Sequence, residues 1–114
     1  MAFSELELQR IEQTVGEFCR KRSPAHLQDK LRLEYRVKGH EVVIVERRPQ
    51  WEDPGRWIDS PAAKVKFIRS AKKWRLYWMR ADMKWHEYPG LSSSHRLDEL
   101  VQEIDGDPLA CFFG

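Results

Sequence analysis

The residues best placed to do chemistry lie between Lys64 and Tyr88, where cations and aromatic rings alternate. Lys64, Lys66, Arg75 and Lys84 are cations spaced to reach phosphates, while Tyr77, His86 and Tyr88 are rings on which unpaired bases can stack. The charge pattern agrees. Residues 30–88 carry 15 Lys or Arg against 8 Asp or Glu, a balance of +7, whereas residues 1–29 stand at −1 (4 against 5) and 89–114 at −4 (1 against 5). A basic middle between acidic ends is a statement about partners. The acidic C-terminal segment also offers an internal neutraliser for the same basic stretch.

Catalytic patterns are thin. His26, His40, His86 and His95 fall on different elements, no pair has metal-ligand spacing, and neither Cys19 nor Cys111 has a histidine close in sequence. No nucleophile elbow, phosphate loop or dinucleotide fingerprint occurs. Glu46, Asp53 and Asp59, followed by Lys64 and Lys66, are reminiscent of a metal-dependent nuclease, whose carboxylates hold a divalent ion while a lysine offsets developing charge. Their spacing matches no such site, and solvated surface charge explains them. No metal and no cofactor are expected.

The elements that must position these residues follow from periodicity. Ser4 and Glu7 form a capping box. Leu8, Ile11, Val15 and Phe18 then recur at helical spacing until Ser23-Pro24 ends the helix. Next the period drops to two. Leu31, Leu33, Tyr35 and Val37 alternate with charged residues, Gly39 supplies a turn, and Val42 and Ile44 return beside Tyr35. Pro49 to Pro61 reads as a loop whose Trp51 and Trp57 fold back to cap the core, with a mobile aromatic loop at a binding site as the alternative.

Three further strands are expected at 62–69, 74–79 and 84–88, joined by turns at 70–73 and 80–83. Their alternation assigns Val65, Phe67, Trp74, Leu76, Trp78 and Trp85 to a core face. The opposite face receives Lys64, Lys66, Ile68, Arg75, Tyr77, Met79, Lys84, His86 and Tyr88. A serine-capped helix from about Ser94 to Asp105 carries Leu97, Leu100, Val101 and Ile104, and Phe112-Phe113 pin the end against the core. Residues 1–114 are thus expected to form a single α+β domain: a five-stranded antiparallel meander sheet with an N-terminal and a C-terminal helix packed on one face.

Composition sets outer limits. Hydrophobic residues at 41% exclude a disordered chain, and no apolar run nears the ~20 residues that span a bilayer. The acidic N-terminus does not resemble a secretory signal, and two isolated cysteines suit a reducing compartment, so a cytoplasmic location is expected.

A pattern covers nearly the whole chain: Arg47-Arg48-Pro49 with Trp51, the run Trp74-Arg75-Leu76-Tyr77-Trp78, Trp85-His86-Glu87-Tyr88, and Asp107-Pro108 followed by Cys111-Phe112-Phe113-Gly114. In this combination the sequence resembles a family of small bacterial proteins catalogued as a domain of unknown function. The resemblance implies a bacterial cytoplasmic protein and brings no activity with it. From the residues themselves the leading expectation is a module that binds single-stranded nucleic acid on the basic, aromatic sheet face. The alternative is a protein-interaction or homodimerisation module centred on Ile68, Tyr77 and Met79, with Val43 and Val45 as further candidates, and a nuclease-like enzyme is a distant third.

Overall fold

The computed structural model describes residues 3–113. Five strands run in meander order, β1 (Arg32–Lys38), β2 (Glu41–Pro49), β3 (Trp57–Ile68), β4 (Lys73–Met79) and β5 (Trp85–Glu87), each antiparallel to the next. A two-residue strand β6 (Ser93–Ser94) pairs with β4 alongside β5. Helical segments from both ends of the chain cover one face, giving the expected α+β architecture.

The first helix shows its cap as expected. Ser4 Oγ accepts the Glu7 N–H at 3.2 Å, and Glu7 Oε1 accepts the Ser4 N–H at 2.8 Å. Its rod has three parts: α1 (Glu5–Ile11), a π-helical turn (Glu12–Gly16) and α2 (Glu17–Lys21). The wider turn moves the apolar stripe. Ile11, Val15, Phe18 and Cys19 enter the core, whereas Leu8 is left exposed. At Gly16 an added Cβ would lie 2.8 Å from the Glu12 carboxyl group, so the missing side chain gives that carboxylate room. Glu12 there accepts hydrogen bonds from the Tyr35 hydroxyl and the Arg20 guanidinium, which together hold its pKa below the usual carboxylate range.

On the helix-facing side of the sheet, Leu33, Val42, Ile44, Val65 and Leu76 meet Ile11, Val15, Leu100 and Ile104. Full burial of each such side chain contributes about 1.5–3 kcal/mol. Gly39 (φ 59°) and His40 make the two-residue β1–β2 turn, which places Tyr35 opposite Ile44.

Beyond Leu8, sequence and structure part in three places. Nearly half of the segment 49–61 is strand: β2 runs to Pro49 and β3 starts at Trp57, leaving a tip of residues 50–56. Pro61 fits within β3 because the β2–β3 register shifts beside Val45, a bulge at which a missing N–H breaks no regular ladder. Neither tryptophan of this segment caps the core. Trp51 is 87% exposed at the tip, and Trp57 lies half-buried beneath the guanidinium of Arg32, 4.5 Å from its ring.

The C-terminal helix α3 (Leu97–Gly106) begins later than its serines suggest, because Ser93 and Ser94 pair with Arg75 and Trp74 of β4. Its N-cap, Arg96, has no side-chain cap; Ser94 Oγ instead accepts the Arg96 N–H at 3.0 Å. The tail is pinned as expected. Asp107, at φ 44°, accepts the N–H groups of Phe112 (3.0 Å) and Phe113 (2.9 Å), and the Phe112 ring lies 4.9 Å from that of Tyr88. The third difference concerns β5 and bears directly on function.

Candidate functional site

The outer face of the sheet is built in cross-strand rows. Lys66 stands opposite Arg75, and Lys64 opposite Tyr77, which in turn faces Glu87. Strand alternation puts these five side chains on the side away from the helices. The structure therefore gathers Lys64, Lys66, Arg75 and Tyr77 on one surface, as expected.

His86 and Tyr88 are not on that surface. Met79 pairs with Trp85 and Trp78 with His86, so Trp85 belongs to the outer face and His86 to the helix side. Tyr88 follows the same parity. Its N–H donates to the Leu76 carbonyl at 3.0 Å, and its ring is 1% exposed within the core. The cause is turn length. A four-residue turn at 80–83 would have set Met79 opposite Lys84, but the turn takes in Lys84 as well. The Arg80 N–H donates to the Lys84 carbonyl (3.2 Å), the Lys84 N–H donates to Asp82 Oδ1 (3.0 Å), and Met83 takes φ 63°. One extra turn residue moves every following side chain to the opposite face. Lys84 is accordingly an exposed turn residue, not a member of the sheet surface.

Tyr88 and His86 have their own partners. The Tyr88 hydroxyl donates to Glu103 Oε2 at 2.8 Å; burial, then the Glu103 carboxylate, pushes its pKa far above the ordinary phenol value. Such a phenol is a structural donor. His86 Nε2 lies 2.8 Å from Asp82 Oδ2, tying β5 back to its own turn.

Trp85 takes the place that sequence parity reserved for these two rings. It is half-buried on the outer face, diagonal to Tyr77, and the Lys64 ammonium sits between them, 5.0 Å from the Tyr77 centroid and 5.2 Å from the Trp85 centroid. Glu41 closes on the same ammonium at 3.1 Å, and the Lys64 side chain is only 14% exposed. Lys64 is therefore a strut that holds two rings in place through interactions worth about 0.5–2 kcal/mol each. It is not a cation available to a ligand.

The remaining charges split the face into two regions. At the β1–β2 side, Asp59 is bound by Arg36 and Arg47, each at 2.7 Å, and Arg47 also reaches Glu34 at 3.4 Å. The two guanidinium groups, Arg36 first, hold the Asp59 carboxyl below its ordinary pKa. This region neutralises itself. Lys66 and Arg75, by contrast, are exposed and have no ion-pair partner among the described residues.

Sequence parity missed Trp85 as an outer-face ring, although a signal existed: the tight pair of hydrogen bonds that Asp82 can offer at a turn makes Lys84 a turn residue. The acids of the nuclease reading do not converge. Asp59 lies in the outer-face network, Glu46 pairs with Arg48, and Asp53 sits in the tip. Among the described residues no three His, Cys, Asp or Glu side chains are grouped to hold a metal ion. No described helix is long and apolar enough to cross a membrane.

Comparison with known proteins adds the last element. No curated protein and no solved structure is significantly similar to this chain. The model of one family, Domain of unknown function (DUF3024), matches residues 3–114, and the chain belongs to that family.

Proposed function

We propose that the outer sheet face binds single-stranded nucleic acid, with Tyr77 and Trp85 stacking on bases and Lys66 and Arg75 touching phosphates. The observation that carries this reading is the register of β5. It sets two half-buried rings diagonally on one open face, steadied by Lys64, next to two cations that no carboxylate among the described residues neutralises. Rings supply sequence-tolerant stacking of about 1–3 kcal/mol per base, and unpaired cations supply the salt-dependent part of affinity. Relative to the set expected from sequence, Trp85 is added, and Lys64, Lys84, His86 and Tyr88 no longer face the ligand. The reading places the protein among binding modules rather than enzymes.

Fluorescence anisotropy with labelled oligo-dT and oligo-U, titrated at several salt concentrations, tests it. Affinity should fall linearly on a log–log plot. Removing one cation that neutralises a phosphate of the single strand should flatten the slope by about 0.7, hence about 1.4 for Lys66→Ala with Arg75→Ala. Trp85→Ala should weaken binding by roughly tenfold without changing the slope. Absence of binding to both oligomers at about 0.05 M salt defeats the proposal. If light scattering then finds a dimer that Tyr77→Glu dissolves, self-association through the same face takes its place.

A further inference from the structure

A groove of about 460 Å³ opens on the opposite layer, where α1, the β3–β4 turn and the entry to α3 meet. That volume lies within the range of metabolite pockets. Its floor includes Trp74 and Phe67, whose rings are 5.0 Å apart, and its rim carries charged side chains from all three elements.

The charges do not cancel. Glu7 is engaged by Arg69 at 2.9 Å and by the Ser4 N–H, and Asp98 by Arg96 at 2.7 Å, so both carboxylates at the groove are already neutralised. Arg10 and Lys72 have no ion-pair partner among the described residues. A positive excess thus stands on two sides of the opening, on α1 and on the β-turn. His95 adds a defined polar group. Its Nδ1 lies 3.0 Å from the Lys72 carbonyl, which can only accept, so Nδ1 is the donor of that hydrogen bond.

A second observation comes from the floor. Trp74 is nine-tenths buried, at 9% exposure, yet no acceptor among the described residues takes its indole N–H. No described side-chain nitrogen or oxygen is fully buried without a partner, so this N–H retains access to solvent, and Trp74 is among the residues that line the groove. A buried indole donor ordinarily finds a partner. Here solvent, or a ligand seated in the groove, can supply the acceptor.

We infer that the groove binds a small organic oxyanion, a carboxylate or phosphate monoester on an apolar body, with Arg10 and Lys72 holding the charge and Trp74 donating its indole N–H. The apolar body lies against Phe67 and Trp74. The two sources share one chemistry, and the probes separate them. This site is independent of the outer face, because none of Lys66, Arg75, Tyr77 and Trp85 lines it.

Indole N–H cross-peaks of the full ¹⁵N-labelled chain report on it, the Trp74 peak being assigned by its loss in Trp74→Phe. Titration with adenosine monophosphate, benzoate and inorganic phosphate should move the Trp74 peak saturably for at least one organic probe. Arg10→Ala with Lys72→Ala should weaken that response about tenfold. Both are exposed side chains, so the fold is retained. Lys66→Glu with Arg75→Glu should leave it unchanged. An unmoved Trp74 peak with all three probes overturns the inference, as does a response that survives the Arg10/Lys72 change. Inorganic phosphate acting as strongly as the organic probes also overturns it, since the apolar body would then contribute nothing.

Discussion

Gly90→Ala tests the register on which the candidate interface depends. A Cβ at position 90 would lie 2.6 Å from Cε2 and 2.9 Å from Cζ of Tyr88, against the 3.5–4.0 Å of ordinary carbon–carbon packing. The Tyr88 ring cannot swing away. It is 1% exposed, lies against Phe112 at 4.9 Å, and its hydroxyl is held by Glu103 at 2.8 Å. Overpacking of this kind costs about 1–3 kcal/mol. Replacing glycine also removes freedom from the unfolded chain and returns about 0.4–1 kcal/mol. The net expectation is a loss of about 1–2 kcal/mol in urea unfolding followed by tryptophan fluorescence, with an unchanged m-value. Tyr88→Leu deletes both clashing atoms, so the double variant should lose less than the sum of the singles, with a coupling of about 1–2 kcal/mol. Gly55→Ala is the control: its nearest neighbour is 3.6 Å away, the Asp53 side chain in the exposed tip. If Gly90→Ala were as neutral as Gly55→Ala, Tyr88 would not be packed in the core. Trp85 would then lose its place beside Tyr77.

The two tryptophans Trp51 and Trp74 should behave oppositely. Trp51→Ala at the 87% exposed tip should change stability by no more than about 0.5 kcal/mol, whereas Trp74→Ala, at 9% exposure, should cost about 3–5 kcal/mol in the same urea assay. Equal costs would contradict the exposed tip. A pH dependence follows from Glu7, whose carboxyl is lowered from 4.5 to about 2, first by the Arg69 guanidinium and then by the Ser4 N–H. Because the folded-state pKa is depressed, the stabilisation is complete above the unfolded value of 4.5 and disappears as pH falls toward 2. Melting temperatures of the native chain and Glu7→Gln should therefore differ at neutral pH and converge on acidification. A gap that stays constant below 4.5 would refute the assignment.

Much of the fold was legible where short-range rules act alone. The capping box at Ser4 and Glu7, the glycine turn that puts Tyr35 opposite Ile44, and the apolar stripe of α3 each depend on residues within a few positions of one another. Most of the candidate site was legible in the same way, since Lys64, Lys66, Arg75 and Tyr77 sit on two long strands joined by a short turn. Trp85 was not, because a strand of three residues has too few positions for its own alternation to announce its phase. The phase was set by how many residues the preceding turn consumed.

The amino-acid sequence by itself determined the order of elements, the capped first helix, the basic middle segment and the apolar face of the sheet, because these follow from local propensity and period. The tertiary structure decided what each charge and ring is available to do. Lys64 became a strut because Glu41, Tyr77 and Trp85 converge on it from three other strands. Asp59 was neutralised by Arg36 and Arg47, which are 23 and 12 residues away, and Trp51 was carried out to solvent on a hairpin that outruns its neighbours. Partners so distant in sequence meet only after the sheet has closed, so no local pattern in the chain records them.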